Sequence, residues 1–109
     1  MSKATLTAES DGRYRVSGVL DAATAPQLLR ESEERFPSGA DIDLRIDLSG
    51  VQESDSAGLA LLLEWLRIAR KRKQNVRFAN VPNQIAALAR ISEVEELIVP
   101  GATQELRRT

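Results

Sequence analysis

The residues best suited to chemistry in this chain lie in one short segment, Glu53 to Gly58. It contains the carboxylates of Glu53 and Asp55 and the hydroxyl of Ser56, and a long apolar helical pattern follows it. Asp and Ser at the start of a helix accept hydrogen bonds from unpaired backbone N–H groups, so capping is sufficient to explain them. A phosphate on Ser56 would also be stabilised there by the helix dipole and the free N–H groups. Capping, phosphorylation and contact with a partner protein all remain open at this point.

Composition argues against catalysis at Ser56. The chain has no Cys and no His, which excludes thiolate nucleophiles, disulfides, the common zinc sites and His-based acid–base catalysis. No base of suitable pKa accompanies Ser56, and a Gly-rich phosphate loop with its Lys is absent. We therefore predict a protein that is not an enzyme and has no metal or cofactor. We also expect no saturable nucleotide binding in calorimetry.

The strand before this segment alternates strictly between apolar and polar residues. Its apolar residues are Ile42, Leu44, Ile46 and Leu48, and its polar residues are Asp43, Arg45 and Asp47. This period of two is typical of a strand with one buried face and one solvated face. A parallel strand covered on both faces would instead be continuously apolar. The pattern predicts a sheet with helices on one face only.

The helix after the segment is predicted from about Ala57 to Arg72 or Lys73, and it has two apolar stripes. At about 100° per residue, a core stripe is formed by Leu59, Leu62, Leu63, Leu66 and Ala69. A second stripe of Leu61, Trp65 and Ile68 lies where an amphipathic surface helix should be polar. There are two explanations: either another part of the chain, such as the C-terminal tail, covers this stripe, or the stripe is exposed. Because exposed apolar patches and Trp are typical of interfaces, we predict a partner-binding surface.

The remaining patterns predict the element order β-β-α-β-α-β-α-β in one α/β domain. An N-terminal hairpin turns at Asp11–Gly12, and Thr24 with Gln27 indicates a capping box for the first helix. We expect a loop from Ser49 to Ser56.

Further predictions concern the C-terminal part. The third helix is predicted to bury Ile85, Leu88, Ala89 and Ile91, and a last strand is predicted at Leu97 to Val99. The domain comprises residues 1–109, with its core at about 6–99 and a flexible tail at 102–109.

Charge and hydropathy limit the partners. The formal net charge of −1 gives no electrostatic case for nucleic acid. The basic residues from Arg67 to Lys73 complement the dipole at the end of their helix, which is sufficient to explain them, although a membrane-facing or nucleic-acid patch is an alternative. The N-terminus lacks the apolar core of a signal peptide, and no apolar run reaches about 18 residues. We therefore expect a cytoplasmic protein with no direct membrane insertion.

Three runs of the sequence together resemble a STAS domain, the family named for sulphate transporters and anti-sigma-factor antagonists. They are IDLSGV at Ile46–Val51, DSAGLALLL at Asp55–Leu63 and NVRFANVPNQIAALARI at Asn75–Ile91. The resemblance extends from roughly Leu6 to Val99 and implies a mixed sheet of about four to five strands with helices on one face. In that family, the Ser or Thr of the D-S/T-x-G-L motif is phosphorylated by a partner kinase or lies at a partner interface. Here this residue is Ser56.

Within the family, the GLALLL run at Gly58–Leu63 resembles the small STAS subunits of phospholipid ABC transporters. That resemblance implies an accessory subunit, peripheral to the inner membrane, which binds the ATPase subunit and through it the permease. The residues expected at this interface are Asp55, Ser56, Ala57, Gly58, Leu61, Trp65 and Ile68. The alternative is an anti-sigma factor antagonist switched by phosphorylation of Ser56, although Ala57 and Ala60 replace residues more usual in that subgroup. An exposed stripe would also allow weak self-association.

Overall fold

The computed structural model describes residues 2–99, which form a four-stranded sheet and four helices. The elements are β1 (Ala4–Ser10), β2 (Arg13–Leu20), α1 (Ala25–Arg35), β3 (Asp43–Ser54), α2 (Ser56–Arg72), β4 (Asn75–Ala79), α3 (Asn83–Ile91) and α4 (Glu95–Ile98). The strand order is β1-β2-β3-β4. Strands β1 and β2 pair in antiparallel fashion as the predicted hairpin, whereas β2, β3 and β4 are parallel. The predicted α/β fold with a mixed sheet is confirmed.

The helices lie on one face of the sheet, as the alternation in the central strand predicted. Leu44, Ile46 and Leu48 of β3 are buried beneath the helices, whereas Asp43 and Arg45 on the opposite face are exposed. Helices α1, α2 and α3 each contact strands of the sheet. The other face of the sheet is therefore polar, and no described helix covers it.

Helix α2 lies between α1 and α3, and this position explains its wide apolar surface. Leu61 and Trp65 are only 3% and 2% exposed, and Ile68 is half-buried. The Trp65 ring packs against Phe36, with 5.8 Å between ring centroids, and its Nε1 donates to Ser32 Oγ at 2.8 Å. The predicted exposed stripe of Leu61, Trp65 and Ile68 is therefore wrong, because α1 covers it. This stripe is therefore also not an exposed apolar surface for the weak self-association that was expected.

Strand β3 continues to Ser54, so the loop predicted from Ser49 onwards is wrong. The apolar alternation ends at Leu48, but the backbone continues to pair with β2, as in the register of Gly18 with Val51. Gly50 makes this possible because a Cβ there would overlap the Ser17 side chain. Pairing with a neighbouring strand, which side-chain periodicity does not report, defines this part of β3.

The start of α1 is fixed in a different way from the predicted capping box of Thr24 and Gln27. The Asp21 carboxylate accepts hydrogen bonds from the N–H groups of Ala23 and Thr24 at 2.9 and 3.0 Å. The Thr24 hydroxyl turns back to donate to the carbonyl of Val19 at 2.7 Å and makes no capping bond to α1. Asp21, three residues before Thr24, therefore takes the place of the predicted capping box.

The third helix confirms two of its predicted core residues and contradicts one. Ile85 and Ala89 are fully buried and Leu88 is half-buried, but Ile91 is 79% exposed because it lies at the last residue of α3.

The last strand predicted at Leu97 to Val99 is also wrong. A short helix, α4, turns Ile98 into the core and leaves Leu97 half-exposed. The predicted flexible tail at 102–109 lies outside the described residues.

Candidate functional site

The predicted site lies where the carboxyl ends of β2 and β3 meet. The backbone N–H of Asp55 donates to the carbonyl of Leu20 at 3.1 Å, which ties the β3–α2 junction to the end of β2. The turn that begins at Asp21 is therefore next to this junction. Ligands and partners of α/β proteins commonly bind at this edge of the sheet, because the loops that follow the strands converge there.

Asp55 is the cap of α2. Its backbone is extended, with φ of −109° and ψ of −163°, and its Oδ1 accepts from the N–H of Ala57 at 2.8 Å. Ser56 is the first residue of the helix and is exposed, and within residues 2–99 its hydroxyl makes no hydrogen bond. The capping role expected for this segment therefore belongs to Asp55. The Ser56 hydroxyl remains available to a partner or to a modifying enzyme.

Gly58 has a structural reason to be glycine. It is buried, and a Cβ there would overlap Ser54 Oγ and would lie 3.2 Å from Leu20 Cβ. The missing side chain lets the first turn of α2 pack closely on the ends of β2 and β3. Gly58 thus supports the position of Ser56 and Ala57, and it has little surface of its own to offer a partner.

The side of α2 that faces away from the protein carries a second set of residues, which we call the outer stripe. It consists of Ser56, Ala60, Leu63 and Arg67. All except the half-buried Leu63 are exposed, and they follow one another at helical spacing.

Charge on the outer stripe is partly neutralised within the helix. Arg67 pairs with Glu64 at 2.5 Å, and the hydrogen bonds from Arg67 hold the pKa of the Glu64 carboxyl below its usual value. Sequence reasoning missed Ala60 and Leu63 because Leu63 was assigned to the core stripe. Ala60 and Leu63 lie on the side of α2 opposite Leu62 and Trp65. If Leu62 and Trp65 are both assigned to the core, helical spacing places Ala60 and Leu63 on the outer side.

Two neighbouring turns border this surface. The N–H of Ser54 donates to Gln84 Oε1 of α3 at 2.9 Å, so the start of α3 adjoins the junction on one side. The Asp21 turn adjoins it on the other. Hydrogen bonds from the Ser2 hydroxyl and the Thr24 backbone lower the pKa of Asp21, so its carboxylate keeps its charge at this edge.

Residues 2–99 contain no group of acidic side chains placed to hold a metal ion. No helix within the same range has both the length and the apolar character needed to span a membrane.

Comparisons with known proteins agree with the fold. A family model described as "Mlab, STAS domain" matches residues 5–100. The anti-sigma-B factor antagonist of Bacillus subtilis is 27% identical over 97 residues, which cover 89% of this chain and 87% of that protein. The intermembrane phospholipid transport system binding protein MlaB of Escherichia coli is 36% identical over 55 residues, which cover 50% of this chain and 57% of that protein.

The same fold is found in a solved structure. The anti-sigma factor antagonist SpoIIAA in its unphosphorylated form superimposes with a TM-score of 0.68 over 98% of both chains, at 15% sequence identity. Relatives of the MlaB type and of the anti-sigma factor antagonist type are thus both similar to this protein. The match of the family model to nearly the whole chain shows that the protein belongs to the STAS family.

Proposed function

We propose that this protein is a non-catalytic accessory subunit of an ABC-type phospholipid transporter that maintains outer-membrane lipid asymmetry. It binds the transporter's ATPase subunit, and through it the permease, at the cytoplasmic side of the inner membrane. The similarity to Escherichia coli MlaB, a binding protein of an intermembrane phospholipid transport system, supports this class of complex. One observation argues most directly for a docking role: the Ser56 hydroxyl at the start of α2 is exposed and makes no hydrogen bond with residues 2–99.

The geometry around Ser56 suits contact with a protein. Because Asp55 caps the helix, the Ser56 hydroxyl is not needed within the fold and can exchange hydrogen bonds with the ATPase. The small side chains of Ala57 and Ala60 let a partner approach the helix closely, and Leu63 adds apolar area farther along the outer stripe.

Leu61, Trp65 and Ile68, which the sequence placed at the interface, are not part of the docking surface that we propose. Leu61 and Trp65 pack inside the domain, so we assign them the role of holding α2 against α1. Ile68 is half-buried beside them. The docking surface that we propose consists of Asp55, Ser56, Ala57 and the rest of the outer stripe, with Gly58 beneath it.

An affinity pull-down of the tagged full chain from a mild-detergent lysate tests the proposal, with partners identified by mass spectrometry. Recovery of an ABC ATPase together with its permease is the expected result. Recovery of a kinase-like anti-sigma factor in their place would overturn the transporter hypothesis.

Variants then test the surface with the purified ATPase. We expect Ala60→Arg to weaken binding by about tenfold or more, since a long charged side chain there blocks close approach. The matched control is Ser38→Arg, at an exposed loop residue far from the outer stripe in sequence. If Ala60→Arg binds like the control while keeping the wild-type melting temperature, the surface assignment is wrong.

A second candidate function is that of an anti-sigma factor antagonist that is switched by phosphorylation of Ser56. The similarity to the Bacillus subtilis antagonist and the exposed hydroxyl at a helix start favour it. It predicts stoichiometric phosphate on Ser56 in cells and a large loss of partner binding in Ser56→Asp. Mass spectrometry that finds no phosphate on Ser56 under any growth condition would count against this function.

A further inference from the structure

Three arginines lie side by side on the face of the sheet that no described helix covers. Arg13 of β2 is in register with Arg45 of β3, and Arg45 is in register with Arg77 of β4. All three are exposed. Because neighbouring strands are about 4.8 Å apart, the three Cα atoms fall within about 10 Å. We call this set the arginine row.

The positive charge of the arginine row has no partner among residues 2–99. The row makes no ion pair there, and no side-chain hydrogen bond of its guanidinium groups is found in that range. Two carboxylates that flank Arg45 on its own strand accept hydrogen bonds from amides. Asn75 Nδ2 donates to Asp43 at 3.0 Å, and Asn80 Nδ2 donates to Asp47 at 2.9 Å.

Such a row carries an energetic cost. Like charges directly opposite each other on neighbouring strands destabilise a sheet, and here the repulsion acts across both pairs of the row. The guanidinium groups together present a dense set of N–H donors in planar forks, which suit the oxygens of phosphate. A bound anion would both use these donors and relieve the repulsion.

A depression of about 400 Å³ gives the row a defined shape. Its walls are formed by the row together with Asp11, Gly12, Asp43, Leu44 and Asn75. The hairpin turn comes close to β3 here, since a Cβ on Gly12 would lie 2.6 Å from the carbonyl oxygen of Asp43. The volume suits a small molecule, and acidic side chains stand at the border of the row.

We propose that the arginine row binds a compact soluble anion that carries several linked phosphoryl groups, of the kind found in inorganic tripolyphosphate. Asp43 and Asp47 flank Arg45 along its own strand, so an extended anionic surface such as a membrane would meet their carboxylates. A narrow anion that lies across the strands can contact all three guanidinium groups at once, although Asp11 and Asp43 also line the depression. The expectation of no nucleotide binding was based on the absence of a Gly-rich phosphate loop, and a nucleoside triphosphate carries the same linked phosphoryl groups, so the proposal revises that expectation.

The arginine row is separate from the proposed docking surface. It lies near the amino ends of β2 and β3 and at the middle of β4, whereas Ser56 follows the carboxyl end of β3. A ligand on the arginine row and a protein on the outer stripe would therefore bind to different faces of the domain.

Isothermal titration of the full chain with sodium tripolyphosphate at low ionic strength tests the proposal. We expect saturable binding of one anion per chain, and binding of orthophosphate weaker by about tenfold or more because fewer bidentate contacts form. Arg45→Gln should weaken tripolyphosphate binding by about tenfold or more, with Arg70→Gln on the last turn of α2 as the matched control. Arg77→Gln provides a second variant at the sheet edge.

A second readout does not require the ligand. In its absence, Arg45→Gln should melt at the same temperature as wild type or higher, since repulsion within the row is relieved. Absence of saturable heat, equal binding of orthophosphate, or wild-type binding by both Gln variants would overturn the proposal. Co-sedimentation with vesicles of equal parts phosphatidylglycerol and phosphatidylcholine, without binding of tripolyphosphate, would overturn it in favour of a membrane-facing surface.

Discussion

The indole Nε1 of Trp65 donates a 2.8 Å hydrogen bond to Ser32 Oγ inside the interface between α1 and α2. Ser32 Oγ in turn donates to the carbonyl of Leu29 at 2.7 Å, and Trp65 and Ser32 are each only 2% exposed. Each buried polar atom thus has a partner, as folded proteins require. This small network holds α1 against α2 and explains a Ser in the middle of an apolar helix face.

Ser32→Ala should lower the free energy of unfolding by about 1–3 kcal/mol, because it leaves the buried Trp65 N–H without an acceptor. Urea denaturation measures the loss. Ser38→Ala, at an exposed loop residue, serves as the control and should unfold like wild type. Equal stability of the two variants would mean that a water molecule or another group replaces Ser32.

Gly58→Ala should destabilise the protein even though Ala favours helix by about 1 kcal/mol relative to Gly. The added methyl group would overlap Ser54 Oγ and press on Leu20. Ser54→Ala removes the Oγ atom, so the double variant should recover part of the loss. Thermal unfolding of both single variants and the double variant gives the coupling energy. Strictly additive effects would show that α2 adjusts without this contact.

Asp55→Ala should cost about 0.5–2 kcal/mol of stability, because the N–H of Ala57 loses its cap. Asp55→Asn keeps an acceptor oxygen and should stay close to wild type. Glu53→Ala, an exposed position one residue before Ser54, is the control. Chemical denaturation ranks the variants, and an Asn variant as unstable as the Ala variant would indicate that charge and not capping is required.

Helix α3 offers a contrast between two isoleucines. Ile85→Ala should lose about 2–5 kcal/mol by opening a cavity in the core. Ile91→Ala should change stability by about 0.5 kcal/mol or less, since its side chain is largely in solvent. Denaturation midpoints measured under the same conditions compare the two. A large loss for Ile91→Ala would contradict the solvent exposure of its side chain.

The pH dependence of stability should report the bond between Asn80 and Asp47. The hydrogen bond from Asn80 Nδ2, helped by the N–H of Ser49, holds the pKa of the Asp47 carboxyl below its usual value. A lowered pKa in the folded state adds stability above the usual pKa, and that stability is lost as pH falls through the folded value.

Asn80→Gly removes the amide while accepting the left-handed backbone at this position, where φ is 55°. Wild type should therefore lose stability more steeply than this variant between about pH 5 and pH 2. Urea midpoints across that range test the difference. Parallel curves would show that Asp47 titrates alike in the folded and unfolded chains.

Much of the fold could be predicted because its signals are local. The strict alternation from Ile42 to Leu48 gave the central strand and the single-sided sheet, and the spacing of apolar residues gave α2 nearly to the residue. Ser56 was expected as the last residue of the loop, and it is the exposed first residue of α2.

The errors occurred where neighbours decide the structure. Whether Leu61 and Trp65 are covered depends on where α1 packs, and the sequence of α2 does not contain that information. Ser32 was the available clue, since a small polar residue at a core position of α1 is suited to receive an indole N–H. The extension of β3 to Ser54 likewise depends on pairing with β2.

The strand order has a consequence for how the chain folds. The β1–β2 hairpin closes around Asp11 and Gly12 and needs only neighbouring residues, whereas Arg13 must find Arg45, and Arg45 must find Arg77, across whole helical crossovers. Long-range parallel pairing of this kind slows folding. On the ribosome, the hairpin can close as soon as β2 has emerged, but the sheet is complete only after Ala79 has left the exit tunnel. Until then, the apolar faces of the early strands and of α2 are unprotected.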